Sequence, residues 1–418
     1  MIQKKHISRD TYNIKYLLVC FTIKLFFISN PAFSESTNTQ IRLNANYNKL
    51  FPVSFQQEKT AGNSANFQNT MNFNNFTSKV SLNFSNKNKL IYDHSFAEFK
   101  YRNKTFGIGK IDRKWSFSPI SSLILSNNAR PTDSIYYIYE NKKSSDIFLT
   151  SWAGPSSFEV FNSITSDKTK VNNSMLLGLR LVIEPVNNLM FELVKTSQWG
   201  GDGQTQNLSS LKAAIAGNTN SKSNSNINQL AGYGFSYFTD IKEIPSRFYA
   251  QVVGEDEAGN LPSCNMHLFG SELDLPANKI FSKLGFEFID TRIDWTTNGN
   301  CGPNTAYNNN IYSYSNYGKT IGTSIDTESK SFNAWASKQI SEDINVSISI
   351  KDITINDANW SSHRLSSSKV NGIQASIETS FHVNSFNIES GLSYQNFVLD
   401  KENHNNGLSL YFSTAYVF

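Results

Sequence analysis

The chain has 418 residues, of which 39% are hydrophobic and 13% aromatic, with 31 Phe and 18 Tyr. A mean hydropathy of -0.39, with no apolar run of about 18 residues outside the N-terminus, excludes membrane-spanning helices. The net charge of +4 offers nothing to a nucleic-acid partner, because residues 1–34 carry all of it and leave the remainder neutral.

The N-terminus reads first. "MIQKKHISRDTYNIK" is basic, "YLLVCFTIKLFFI" is an apolar core of 13 residues interrupted by Lys24, and small residues follow at Ala32 and Ser34. This is the pattern of a secretory signal peptide ending at Ser34, leaving residues 35–418 as one exported domain. A lipoprotein site at Cys20 fits less well, since Val19 is not small and the apolar run continues beyond it. Only Cys264 and Cys301 remain after cleavage. In an oxidising compartment they are a disulfide candidate, worth roughly 3–4 kcal/mol by loop-closure entropy; the alternative is two unpaired thiols.

Alternating segments follow in order. Asn38–Asn48 already reads as strand. Lys79–Ser85 places Val80, Leu82 and Phe84 on one face. Gly109–Pro131, "GKIDRKWSFSPISSLILSNNARP", breaks the pattern; a short strand over Ser122–Asn128 is the only regular piece it offers. Ser134–Asn141, Leu176–Pro185, Met190–Trp199, Gly232–Asp240, Arg247–Asp256, Leu284–Asp294, Ile344–Ile355 and Gly372–Phe381 alternate again, between Gly, Asn, Ser, Pro and Asp clusters. Leu208, Leu211, Ala214 and Ile215 share a helical face, with Ser209 as candidate N-cap and Gly217 as stop, inside a long loop. Glu255, Asp256 and Glu257 form an acidic cluster expected in a turn. The last strand, Gly407–Phe418, sets Leu408, Leu410, Phe412, Thr414, Tyr416 and Phe418 against Ser409, Tyr411, Ser413, Ala415 and Val417.

Some 16–18 such strands suit an all-β transmembrane antiparallel barrel, since each crossing needs about 9–11 residues and closure removes every open edge. Lipid is expected outside and a wet lumen inside, with tyrosines near strand ends as interfacial girdles. No fixed-period repeat supports a solenoid. A terminal aromatic such as Phe418 resembles the strand that barrel insertion machinery reads.

Catalysis has little foothold. His94, His267, His363, His382 and His404 form no metal-type pair at i, i+4 and no evident Ser-His pair, so neither catalytic nor metal residues nor a cofactor are assigned and the chain is read as a non-enzyme. Saccharide binding asks for aromatic faces and for Arg, Asp, Glu or Asn. Its candidates are Arg113, Trp115, Arg130, Trp199, Asp202, Glu255, Asp256 and Glu257. The bland reading is that such charges pair to plug the lumen, and that the acidic cluster is a solvated turn rather than a Ca²⁺ or sugar ligand.

Five stretches, in order, carry a family likeness: Gly109–Pro131, Gly178–Gly217, Asn228–Tyr237, Tyr249–Ser263, and Asn304–Asp326 with Gly318 and Gly322. From about Gly107 to the C-terminus the chain resembles the capsule assembly Wzi family. The resemblance implies an 18-stranded bacterial outer-membrane barrel, lectin-like rather than enzymatic, that attaches or assembles capsular or extracellular polysaccharide. Two departures stand out. Members similar over their full length carry a helical periplasmic part, whereas here strand-like sequence starts almost at the cleavage site. The family's Trp-Trp-Gly-Pro-like run becomes Lys114, Trp115, Ser116, Phe117, Ser118, Pro119. A porin or specific channel is the alternative, and a lipid or glycan hydrolase a third reading.

Overall fold

Strand formation here follows from alternation that gives each ribbon one greasy and one small or polar face. A computed structural model describes residues 36–47, 50, 63–85, 90–144, 151–167, 170–216, 226–258, 261–276, 278–294, 301–402 and 405–418. The expected signal peptide, Gly217 and His404 lie outside the described residues. The strands are β1 (Ser36–Tyr47), β2 (Ser64–Phe73), β3 (Phe76–Ser85), β4 (Leu90–Ile91), β5 (Phe96–Tyr101), β6 (Lys104–Gly109), β7 (Asp133–Asn141), β8 (Ser156–Ile164), β9 (Met175–Val186) and β10 (Leu189–Trp199). After helix α1 (Leu208–Ala216) come β11 (Asn228–Ile241), β12 (Ile244–Ala258), β13 (Leu261–Asp274) and β14 (Lys283–Asp290). A separate small hairpin joins β15 (Ser315–Asn316) to β16 (Lys319–Thr320). The wall resumes with β17 (Lys330–Ser341), β18 (Ile344–Ile355), β19 (Val370–Val383), β20 (Phe386–Gln395) and β21 (Gly407–Val417).

Eighteen of these strands close an antiparallel barrel. The seam is β1 against β21, from Gln40↔Val417 to Tyr47↔Leu410. The two-residue β4 only extends the β3 edge. At one end of the barrel most connections are two-residue turns, among them Asn74–Asn75, Arg102–Asn103, Asn187–Asn188, Lys242–Glu243 and Asn384–Ser385. Asn74, Arg102, Asn188, Lys242, Glu243 and Asn384 have φ between 48° and 68°, the handedness that matches twisted hairpins. Most connections at the other end are long, the exception being the two residues between β12 and β13. Short turns mark the periplasmic end of such barrels and long loops the cell exterior.

The outward face carries the apolar residues. On β21, Leu408, Leu410 and Phe412 are exposed while Ser409, Ser413 and Ala415 are buried, the two faces read from the sequence. Tyr47, Tyr101, Tyr233, Tyr237 and Tyr394 are exposed along the wall. The lumen departs from expectation. In its outer half the inward residues Leu176, Val194, Leu230, Val253, Met266, Leu268, Ile289, Ile353 and Ile355 are apolar and join one buried cluster with residues of the long loops. The interior is therefore packed rather than wet there, because loops return into it and bury those side chains.

Two local expectations are corrected. The N-cap of α1 is Asn207, not Ser209: the Asn207 Oδ1 accepts from the Ser210 amide at 2.9 Å, and the Ser210 hydroxyl accepts from the Asn207 amide at 3.0 Å, a reciprocal cap. Ser122–Asn128 is not a strand. Its Leu123, Ile124 and Leu125 are buried, and its backbone is satisfied by side chains and by loop backbone at Trp115 and Ile321 rather than by a neighbouring strand.

Candidate functional site

The connection between β6 and β7, residues 110–132, leaves the outer rim and descends through the lumen. Pro119 marks its lowest point: it lines a cavity of about 440 Å³ with Asn188, Pro245, Arg247, Glu272, Asp274 and Lys283, all near the short-turn end. An irregular backbone survives at such depth only if every polar group finds a partner in protein or water. Here the wall supplies them. Gln251 on β12 accepts the Leu123 amide at 2.8 Å, donates to the Trp115 carbonyl at 2.6 Å and to Glu192 at 3.0 Å. Glu287 on β14 accepts from the Ser118 hydroxyl and, at 3.1 Å, from Tyr249. Glu159 on β8 accepts from the Arg113 Nε at 2.6 Å and the Trp115 Nε1 at 3.0 Å.

A second returning loop, residues 291–329 between β14 and β17, knits to the first. Tyr307 donates to the Leu123 carbonyl at 2.5 Å and Tyr314 to that of Ile124 at 2.6 Å. Their rings stack with centroids 5.7 Å apart. The Ser126 amide donates to the Ile321 carbonyl at 2.9 Å, and Asn128 to the Thr320 carbonyl at 2.9 Å. Tyr312 donates to the carbonyls of Gly200 and Asn226 at 3.1 and 2.9 Å, tying in the helical loop. Cys264 on β13 and Cys301 are disulfide-bonded, Cα–Cα 5.6 Å, which anchors this loop to the wall.

Residues 356–369 lock the outer side. Arg364 pairs with Asp326 at 2.5 Å. Burial alone would raise the Asp326 carboxyl, but the Arg364 guanidinium outweighs it and holds it below the ordinary range. His363 is buried, with Nε2 on the Thr327 carbonyl at 2.9 Å and Nδ1 accepting from the Leu365 amide at 3.1 Å. Burial keeps the His363 pKa below its ordinary value despite the attraction of Asp326.

The sequence candidates therefore divide. Arg113 and Trp115 meet on one carboxylate, and Arg113 also lies 4.2 Å above the Phe161 ring. Both are buried and used in holding the plug. Arg130 sits apart at the outer rim: it binds Asp93 through two hydrogen bonds, 2.6 and 2.9 Å, and lies 4.0 Å above the Tyr317 ring. Lys110 is buried beside it, 3.6 Å from both Asp93 and Asp133 and 4.3 Å above the Tyr92 ring. Burial disfavours its charge, yet the two carboxylates prevail and raise its pKa. Trp199 is buried at the top of β10 with Leu177, Ala213, Ala214 and Ile227, donating to Asn162 at 3.2 Å. Asp202 is exposed and accepts from Asn173 at 3.1 Å. Glu255 accepts the Tyr307 amide at 3.0 Å. Asp256 and Glu257 belong to β12, paired with Ser263 and Pro262 of β13, so the acidic cluster is strand and not a turn. A long hairpin carries the wall past the expected loop there.

The sequence reading did not single out Glu159, Glu192, Gln251, Glu287, Tyr307, Tyr314 or Tyr317. For the tyrosines a signal existed. "AYNNNIYSYSNYG" concentrates aromatics in a run without alternation, and aromatic bulk outside a strand has to be buried against something.

Residues 30–407 match the sequence profile of the family described as capsule assembly protein Wzi, so the likeness begins well before Gly107. A curated relative, an uncharacterized 55.8 kDa protein in the cps region of Klebsiella pneumoniae, is 30% identical over 190 residues. That alignment covers 45% of this chain and 38% of the relative. Among solved structures, Wzi of Escherichia coli, described as an outer-membrane protein involved in group 1 capsule assembly and a carbohydrate-binding β-barrel, superposes with TM-score 0.74 at 22% identity, covering 91% of this chain and 84% of that one. OprD from Pseudomonas aeruginosa matches at TM-score 0.52 and 9% identity, over 92% of this chain and 94% of its own; at such identity the likeness is one of fold.

Proposed function

The chain belongs to the capsule assembly protein Wzi family, and from that premise we propose that it holds capsular or extracellular polysaccharide at the outer face of the cell. It is an outer-membrane β-barrel. The curated relative is matched over little more than a third of its length, so the role is argued from this chain's own residues.

The observation that carries the reading is the plug. A diffusion channel needs a continuous wet lumen. Here residues 110–132, 291–294 and 301–329 fill the outer half, joined to each other and to the wall by hydrogen bonds, an apolar core and a disulfide. A barrel spent in this way offers the outside world a rigid surface rather than a path, which suits a binding role. We read the chain as a non-enzymatic binder. Arg113, Trp115 and Trp199, being buried, serve the surface from beneath. Arg130 and Asp202 lie where a glycan could reach them.

Gene deletion followed by capsule staining tests this. Loss is expected to shift polysaccharide from cell-bound to cell-free, with its synthesis unchanged. Unaltered cell-bound polysaccharide would reject it. Steady open conductance of the refolded protein in a planar bilayer would favour the porin reading instead.

A further inference from the structure

Tyr317 occupies a position that plain stability does not explain. It is the first turn residue of the hairpin β15–β16, with φ 52°, followed by Gly318 with φ 76°. Such a turn needs left-handed backbone at both positions and normally uses Asn or Gly. A bulky aromatic is rarely held there, and strain of this kind gathers at binding sites. The tip is nonetheless firmly placed. Asn316 donates to the Arg130 carbonyl at 2.7 Å and accepts from the Ser166 amide at 2.7 Å. Beneath the ring lies the Arg130 guanidinium, itself fixed by Asp93.

The ring is held but not covered: 43% of Tyr317 remains exposed, and the space around Gly318 is open. Asp133, half exposed, stands at the same rim and shares Lys110 with Asp93. Two cations, Lys110 and Arg130, face two carboxylates, Asp93 and Asp133, so the cluster is balanced. It has no surplus charge with which to select an anion. What it presents is a fixed aromatic face with hydrogen-bonding groups at its edge, the combination that receives the C–H face of a sugar ring.

We propose that Tyr317 is the platform of a saccharide subsite on the outer rim, taking a neutral pyranose unit by stacking, with Asp133 accepting from its hydroxyls. This rests on the polysaccharide-holding reading. The test uses the full chain in detergent and, as probe, the host's own surface polysaccharide cut to oligosaccharides by mild acid. Tyr317→Asn suits the turn as well or better, so its melting temperature is expected to equal or exceed that of the parent while binding weakens about tenfold. Tyr317→Phe keeps the platform and is expected to bind like the parent. Equal binding by Tyr317→Asn, or melting that falls together with binding, would overturn the platform and leave the wider reading standing. No binding by the parent itself would overturn both.

Discussion

Gln251 and Trp115 are joined across the boundary between wall and plug: the Gln251 side-chain amide donates to the Trp115 carbonyl at 2.6 Å. The same side chain accepts the Leu123 amide, so one wall residue clamps both limbs of the descending loop. Replacing Gln251 by Leu strands a buried amide and weakens the hold on Glu192. Each unpaired buried group costs about 1–3 kcal/mol. Gln251→Leu is expected to leave the barrel heat-modifiable on gels yet lower its melting temperature and introduce flickering conductance in planar bilayers. A silent bilayer and an unchanged melt would show that the clamp is dispensable.

The disulfide works on the second loop. Cys264 and Cys301 are separated by 37 positions, and releasing a loop of that length frees roughly 3–4 kcal/mol of unfolded-state entropy. Reduction, or Cys301→Ser with Cys264→Ser, should speed proteolysis within residues 301–329 while wall strands stay protected. Identical digestion patterns with and without reductant would contradict this.

Gly322 lies where the two loops touch. A Cβ there would meet the Tyr307 ring at 2.5 Å and the Leu123 carbonyl at 2.7 Å. Neither neighbour is free to move, since Tyr307 is hydrogen-bonded to that same carbonyl. Gly322→Val is expected to destabilise by about 1–3 kcal/mol through overpacking, visible as a lower melting temperature. A melt equal to the parent's would mean that the interface yields.

Acid should loosen the outer lock. The Nδ1 of His363 accepts from the Leu365 amide, so a second ring proton would face a donor. Its folded pKa lies below the ordinary 6.5, and the unfolded chain therefore takes up protons first. Stability is complete above about pH 6.5 and declines as pH falls from there toward the folded value. Asp326, depressed by Arg364, adds its own loss only below 3.8. Glu328, raised by burial, opposes the trend as pH approaches the carboxylate range. Melting curves between pH 8 and 5 should slope downward in the parent and flatten in His363→Gln. Parallel curves would remove His363 from the account.

How much of this could be read in the chain depends on period. The strand at Gly407–Phe418 was legible because a wall residue faces either lipid or lumen, and Leu408 and Ser409 declare which. The turn at Asn187–Asn188 was legible from its asparagines. The plug was legible only as charges expected to pair inside the lumen; its path and apolar packing were not, because Gly109–Pro131 follows no period: its Trp115 and Ile124 are held by partners more than a hundred residues away, Gln251 and Tyr314. The acidic cluster at Glu255 misled for the opposite reason. Charge suggests a solvated turn, and only tertiary pairing with β13 kept it in the sheet. Glu159, Gln251 and Glu287 look like ordinary lumen-facing polar residues until the loop that needs them is in view.

One consequence of the β1–β21 seam concerns assembly. The first and last staves of the cask are neighbours, so Gln40 cannot meet Val417 until the entire chain has been delivered. The two loops that stop the bore hang from opposite sides of it, between β6 and β7 and between β14 and β17, and both precede the final stave. They can be stowed while the hoop still gapes. A molecule made in this order need never pass through a stage at which a finished, unstoppered hole breaches the membrane.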